Sequence, residues 1–333
     1  MPLTNQHAHP MKIIKTTFKW VGIILLLFIS VIAITVFARK NHKFEAPYPE
    51  IKASNDSAVI ARGKDFVYGP AHCAYCHTTL DKLPQVEKGE FLPLTGGHLF
   101  PLPIANLYTP NLTPDPETGI GKLTDGEIAR ALRHGVGHDG RALMPLMPFN
   151  NLSDEDLTAV ISYLRSTAPI KNEVPKSEYN TLGTILKALV IKPVGPEGAI
   201  PKSVPHGPTV EYGQYLVEHV ANCRGCHTAR DLKTGDYTGP FYGGGFKLVS
   251  EMDPTVMLCT PNISPDPKFG VIANWSLEQF IQRFRKGRVI QASIMPWGPF
   301  SHMSDEDLTA IYSYLKTVKP VPQDPGPRIS KAS

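Results

Sequence analysis

No acidic side chain occurs in the first 43 positions, which hold six lysines and arginines. The formal charge of +4 therefore belongs to that segment, since the rest of the chain carries 28 basic and 30 acidic residues. A slightly acidic body offers no phosphate-binding surface, so we expect no nucleic-acid partner.

Charge of either sign is missing from Trp20 to Ala38, a run of nineteen residues. Lys12, Lys15 and Lys19 precede it, and Arg39, Lys40 and Lys43 follow it. As a helix the run would span roughly 28 Å, about the hydrocarbon thickness of a bilayer. A cleaved signal peptide competes, but the run is longer than a signal core, and Val36-Phe37-Ala38 makes a weak cleavage site. We expect an uncleaved transmembrane anchor over 20–38, in contact with membrane lipid. Lysines on both flanks leave its orientation open.

Strand signals are scarce too. No stretch alternates long enough to read as a core strand, which excludes the βαβ setting of a thioredoxin-like protein and makes the expected fold class all-α. Turn chemistry is plentiful: 32 prolines and 27 glycines predict irregular but defined connections.

The chain repeats itself. Cys73-Ala-Tyr-Cys76-His77 returns as Cys223-Arg-Gly-Cys226-His227, 150 residues on. Thr109-Pro-Asn-Leu-Thr-Pro-Asp-Pro116 returns as Thr260-Pro-Asn-Ile-Ser-Pro-Asp-Pro267, and Ser153–Ala159 is repeated verbatim at Ser304–Ala310, both offset by 151. Three motifs in one order at a near-constant offset mark a tandem duplication. In each copy a serine precedes acidic residues and then apolar positions at helical spacing, Leu157, Val160, Ile161, Leu164 and Leu308, Ile311, Tyr312, Leu315. Thr124-x-x-Glu127 and Ser276-x-x-Gln279 open a second helix that ends before Gly135 and Gly287. The expected domains are 50–170 and 209–320, with a proline-rich linker at 171–208 and a tail at 321–333. Leu182, Ile185, Leu186, Leu189 and Val190 give the linker a short apolar helical face, which would pack on the first domain or dock on a membrane or partner.

Two thiols and an imidazole within about one helical turn can join the two vinyl groups of one haem and place a histidine beneath its iron. A zinc site built from the four cysteines would leave both histidines idle and tie two separate domains together. We therefore expect two covalently bound haems c, on Cys73, Cys76, His77 and on Cys223, Cys226, His227. Methionine is the expected second axial ligand of an electron carrier. Met295, in Met295-Pro296-Trp297, serves the second haem, and Met303, just before a helix cap, is packing. The first copy offers Met144 and Met147. Counting back from Ser153 selects Met144, as Met295 lies from Ser304; counting forward from Gly140-Arg141, matched to Gly287-Arg288, selects Met147. The Met-Pro-aromatic pattern, with Phe149 mirroring Trp297, also favours Met147, which we take as the ligand with Met144 as its alternative.

With these motifs the chain resembles the class I c-type cytochromes, and within them the cytochrome subunits of bacterial membrane-bound alcohol, gluconate and aldehyde dehydrogenases. The resemblance covers nearly everything after residue 50. It implies a tandem pair of class I cytochrome c domains behind the anchor, carrying single electrons between a dehydrogenase and the respiratory chain. Redox partners would be a dehydrogenase subunit and an oxidase or quinone-linked complex. It also implies haem attachment outside the cytoplasmic membrane, which puts residues 1–19 in the cytoplasm and both haem domains on the periplasmic or outer side. Those subunits typically carry three haem motifs, and this chain has two. The alternative is a di-haem oxidoreductase of peroxidase type, in which one axial ligand is displaceable.

Around these motifs, Gly96-Gly97 and Gly243-Gly244-Gly245 could admit a haem edge or form ordinary turns. Asn111 and Asn262 could bond near a haem or support their loop, and Trp275 could reach a propionate or fill the core. Cys259 takes no role, and His72, His98, His134 and His219 read as surface or structural residues.

Overall fold

The computed structural model describes the backbone of residues 9–232 and 234–332, and the side chains of residues 14–232 and 234–332. Residues 1–8 of the expected cytoplasmic segment and the Lys12 side chain lie outside the described residues. Helix α1 (His9–Arg39) carries the uncharged run and stands clear of the body over most of its length. Among the described residues one helix is long and apolar enough to cross a membrane, Ile14–Arg39.

Each repeat is then built alike. In the first, α2 (Ser57–Tyr68) leads to α3 (Cys73–Cys76), α4 (Leu83–Glu87), a hairpin of β1 (Leu99–Leu102) and β2 (Ala105–Tyr108), α5 (Asp125–His134) and α6 (Asp154–Ser166). The linker supplies β3 (Glu178–Tyr179) and α7 (Thr181–Leu189). In the second, α8 (Val210–Tyr215) runs on as a π-helical turn, Leu216–Val220, into α9 (Cys223–Cys226). There follow β4 (Lys247–Val249), β5 (Val256–Cys259), α10 (Leu277–Arg285), α11 (Trp297–Phe300), α12 (Asp305–Leu315) and β6 (Ile329–Lys331).

Local chemistry sets the helix starts. Thr124 and Glu127 cap α5 reciprocally, Ser276 and Gln279 do so for α10, and the Ser153 and Ser304 hydroxyls accept the Asp156 and Asp307 amides at 3.1 and 3.0 Å. The first and last helices of each repeat cross where glycine lets backbone meet backbone. A Cβ on Gly63 would stand 1.9 Å from the Ala159 carbonyl oxygen, and one on Gly213 1.9 Å from that of Ala310.

The expected all-α class needs correcting. Each repeat carries a three-stranded antiparallel sheet, β1-β2-β3 and β4-β5-β6. These strands run two to four residues, too short for alternation to register in sequence, and the third strand of each comes from beyond the last helix of its repeat. The tail expected at 321–333 thus returns to pair Leu258 with Ile329.

One hydrophobic core runs through both repeats. At their contact the Tyr215 hydroxyl donates to the buried Asp156 carboxylate at 2.7 Å and accepts the Ser153 amide at 3.0 Å. On another side Glu87 takes the Arg288 guanidinium at 2.6 Å and the Gly298 amide at 3.1 Å.

Candidate haem sites

The two Cys-x-x-Cys-His motifs occupy the same local structure. His72 and Asn222, with φ of 41° and 54°, turn the chain into α3 and α9, and the histidine of each motif closes its turn by donating its amide to the first cysteine's carbonyl, at 2.9 and 2.8 Å. Both cysteines of a pair and the histidine therefore sit around one short turn.

Each imidazole is then fixed by the repeated proline loop. His77 Nδ1 donates to the Pro110 carbonyl at 3.0 Å, and His227 Nδ1 donates to the Pro261 carbonyl at 2.9 Å. A carbonyl can only accept, so the proton is on Nδ1 and Nε2 keeps its lone pair, the state a metal requires. Burial pushes the His77 imidazole down to about 4 and lowers His227 as well, which keeps both neutral in ordinary conditions.

The paired glycines hold the same peptides. Gly96 and Gly244 donate to the carbonyls of His77 and His227, each at 2.9 Å, and Gly97 and Gly245 donate to those of Thr109 and Thr260, each at 2.9 Å. Gly96 and Gly244 have φ of 72° and 71°, and a Cβ on Gly96 would lie 2.4 Å from the Pro110 carbonyl carbon. They are clamp residues, which proline-rich composition alone did not reveal.

The loop asparagines turn inward to support that clamp. Asn111 Nδ2 donates to Ile170 O and Thr118 Oγ1 while its Oδ1 accepts the Thr113 amide and hydroxyl; Asn262 Nδ2 donates to Val321 O and Gln323 O while its Oδ1 accepts from Ser264. Both are committed to the loop and to the segment after the last helix, the plainer of the two readings. Trp275 packs against the core and Cys259 is buried in β5 with its thiol on Pro325 O at 3.0 Å.

The donor set fits a covalently held haem. Burial pushes the free Cys73, Cys76 and Cys223 thiols up to about 12, the opposite of the depressed, cation-assisted thiolates of redox or zinc pairs. Cys73, Cys76 and Cys223 also lie against the apolar core. Among the described residues no group of three or more His, Cys, Asp or Glu is placed to bind a bare metal ion. Arg230, close enough to Cys226 to act on its charge, leaves its buried Nε without a partner, a donor available to an anionic haem edge.

The methionines divide by criterion. Met144, Met147 and Met295 are all half-buried, but only Met147 and Met295 pack against the same core as the cysteines. Met144 shares a backbone turn with Met295: Leu146 N donates to Met144 O, and Trp297 N to Met295 O, both at 2.7 Å across a proline. The glycine pairing also shifts, because Gly135 and Gly287, with φ of 62° and 63°, follow the corresponding helices α5 and α10. Met303 is buried core, as expected of packing.

Comparison with known proteins agrees with this geometry. The cytochrome c family model matches residues 60–168, and the model described as cytochrome C oxidase, cbb3-type, subunit III matches residues 208–315. The chain is 30% identical over 288 residues to the fructose dehydrogenase cytochrome subunit of Gluconobacter japonicus, covering 82% of this chain and 55% of that one. It is 30% identical over 289 residues to the cytochrome c subunit of the quinone alcohol dehydrogenase of Gluconobacter oxydans, covering 80% and 56%. A diheme cytochrome c-type of Cereibacter sphaeroides is 27% identical over 266 residues, covering 76% and 83%. The chain thus spans little more than half the length of the dehydrogenase subunits it matches.

Proposed function

The chain belongs to the cytochrome c family, an electron carrier with two covalently bound haems c, and from that premise we propose that it is anchored in the cytoplasmic membrane and relays single electrons from a dehydrogenase toward the respiratory chain. The observation that carries the reading is the duplicated histidine clamp, which presents a neutral Nε2 beside a cysteine pair in each repeat. Cys73, Cys76 and His77 hold the first haem, and Cys223, Cys226 and His227 the second. Haem supplies one-electron chemistry at iron. The protein's own contribution is to hold the imidazole tautomer and orientation, and to keep an apolar wall against the site.

Met295 would complete the second iron and Met147 the first. Packing against the hydrophobic core that also takes the cysteines supports Met147, since a ligand must share the apolar surroundings of the iron; Met144 has the matching backbone turn and remains the rival. With methionine on both irons no position would be open to peroxide, which would separate a carrier from a peroxidase.

Helix α1, charge-free over Trp20–Ala38 and bare of protein contact along most of its length, supports the anchor, with residues 1–19 in the cytoplasm and both haem domains outside. The dehydrogenase partner follows from what the relatives are named for: subunits of fructose and quinone alcohol dehydrogenases. Purification from detergent-solubilised membranes tests the whole. A flavin- or quinone-containing subunit should accompany the chain and reduce its haems when given substrate. A solitary chain whose haems no membrane dehydrogenase reduces would overturn the assignment.

A further inference from the structure

Helix α7 is mounted with its apolar side outward. Leu182, Ile185, Leu186 and Leu189 share one face at helical spacing, with Val190 beside them. Leu182 is 56% exposed, Leu189 39% and Val190 63%, while Ile185 and Leu186 at the middle of the face are half-buried. The face turned to the protein holds the small and polar residues: Gly183 and Ala188 are buried, and a Cβ on Gly183 would stand 2.0 Å from the Ile104 carbonyl oxygen. Lys187 Nζ lies 5.3 Å from the Tyr179 ring centroid on the protein side. A surface helix of a soluble domain is oriented the other way round.

The mounting is firm. Asn180 caps α7 through the Gly183 amide at 2.9 Å, its Nδ2 donates to Pro103 O at 2.8 Å, and β3 pairs with β2 just before it. The helix holds no acidic residue. Beyond domain 1, its packing neighbour is the anchor α1. The half-covered residues within the apolar run of α1 lie in its C-terminal half, Ser30, Ile32, Thr35 and Val36, whereas residues 14–29 are bare. Ile32 is seven positions inward of Arg39, about 10 Å along the axis, the depth at which an interfacial helix buries its apolar face.

We infer that α7 is a second membrane element: it lies in the outer leaflet against α1, its Leu182–Val190 face inserted among lipid acyl chains, and fixes domain 1 against the bilayer. This rests on the reading of α1 as an anchor. The occupant is lipid because the face is continuous with the apolar surface of α1, whose own exposed residues have no protein cover.

Photolabelling tests it, with the haem-loaded full chain reconstituted in phosphatidylcholine vesicles doped with a phospholipid bearing a diazirine on its acyl chain. Mass spectrometry should find label on peptides covering residues 177–192 as well as on α1. In a chain carrying L182E and V190E, label on α7 should fall by about tenfold, with label on α1 and the haem absorption spectrum unchanged. Label on α1 but not α7 overturns the inference and leaves the anchor standing, as does an unlabelled α7 in a chain of doubled mass, where a second copy covers the face. Label on neither overturns the anchor and the inference together.

Discussion

His77 Nδ1 stands 3.0 Å from the carbonyl oxygen of Pro110, and the second repeat reproduces the pair in His227 and Pro261 at 2.9 Å. In both copies the carbonyl of the repeated proline loop fixes the tautomer of the motif histidine. The glycine that presses on it makes the loop stiff: Gly96 donates to His77 O while leaving no room for a Cβ against Pro110. Substituting Gly96 by alanine should displace the Pro110 peptide and cost about 1–3 kcal/mol in backbone strain. The haem should stay covalently attached while its histidine bond loosens. Carbon monoxide binding by the reduced protein should rise from nearly none to about one equivalent, and unchanged binding would remove the clamp role from Gly96.

Replacing Cys73 and Cys76 together with alanine should halve the covalent haem, and the matching change at Cys223 and Cys226 should halve it in the other repeat. The pyridine haemochrome spectrum of acid-acetone-extracted protein counts the remainder. A full complement in either variant would contradict the attachment sites.

Met147→Leu and Met144→Leu separate the two candidate ligands. The first should abolish the sulfur-to-iron absorption band of one haem and open it to carbon monoxide; the second should change neither. The opposite result assigns Met144, and an open iron in the unaltered protein would favour the peroxidase reading.

Glu87 and Arg288 form an ion pair between the repeats, with both side chains only 9% exposed. Breaking such a pair by Glu87→Gln takes the nearest carboxylate from a buried guanidinium and leaves it only Glu251 and the Tyr75 hydroxyl, at about 3–5 kcal/mol. Chemical denaturation should show that loss, while Glu87→Gln with Arg288→Met should recover much of it. A single variant as stable as the parent would show that the contact is solvated.

Asp115 accepts the Thr118 amide at 2.7 Å, the Thr118 hydroxyl at 2.8 Å and the Glu117 amide at 3.1 Å. The Thr118 bonds hold its carboxyl below the usual carboxylate range. A depressed folded-state pKa adds stability that is complete above the unfolded value and disappears as pH falls through the folded one. Asp115→Asn should therefore be less stable than the parent at neutral pH, the gap closing in strong acid. Urea midpoints at the two extremes would show it, and a gap independent of pH would discount the carboxylate.

The paired thiols, their histidines, the duplication and the uncharged run were all legible in the sequence, because covalent chemistry and bilayer thickness each impose a local pattern. The helix starts at Ser153 and Ser304 were legible for the same reason, as capping acts within one turn. The small sheets were not. The strand pairs Ala105 with Tyr179 and Leu258 with Ile329 join residues some seventy positions apart over two to four residues, too little periodicity to read. The choice between Met144 and Met147 was equally hidden, since two counts from fixed landmarks disagree about one loop.

Composition and spacing determined that this protein holds two haem-attachment motifs behind an apolar helix. Which carbonyl receives each histidine proton, which glycine stands against it and which way the leucines of α7 face were decided only by the folded chain. Each depends on contact between segments distant in sequence, and such contacts leave no local trace.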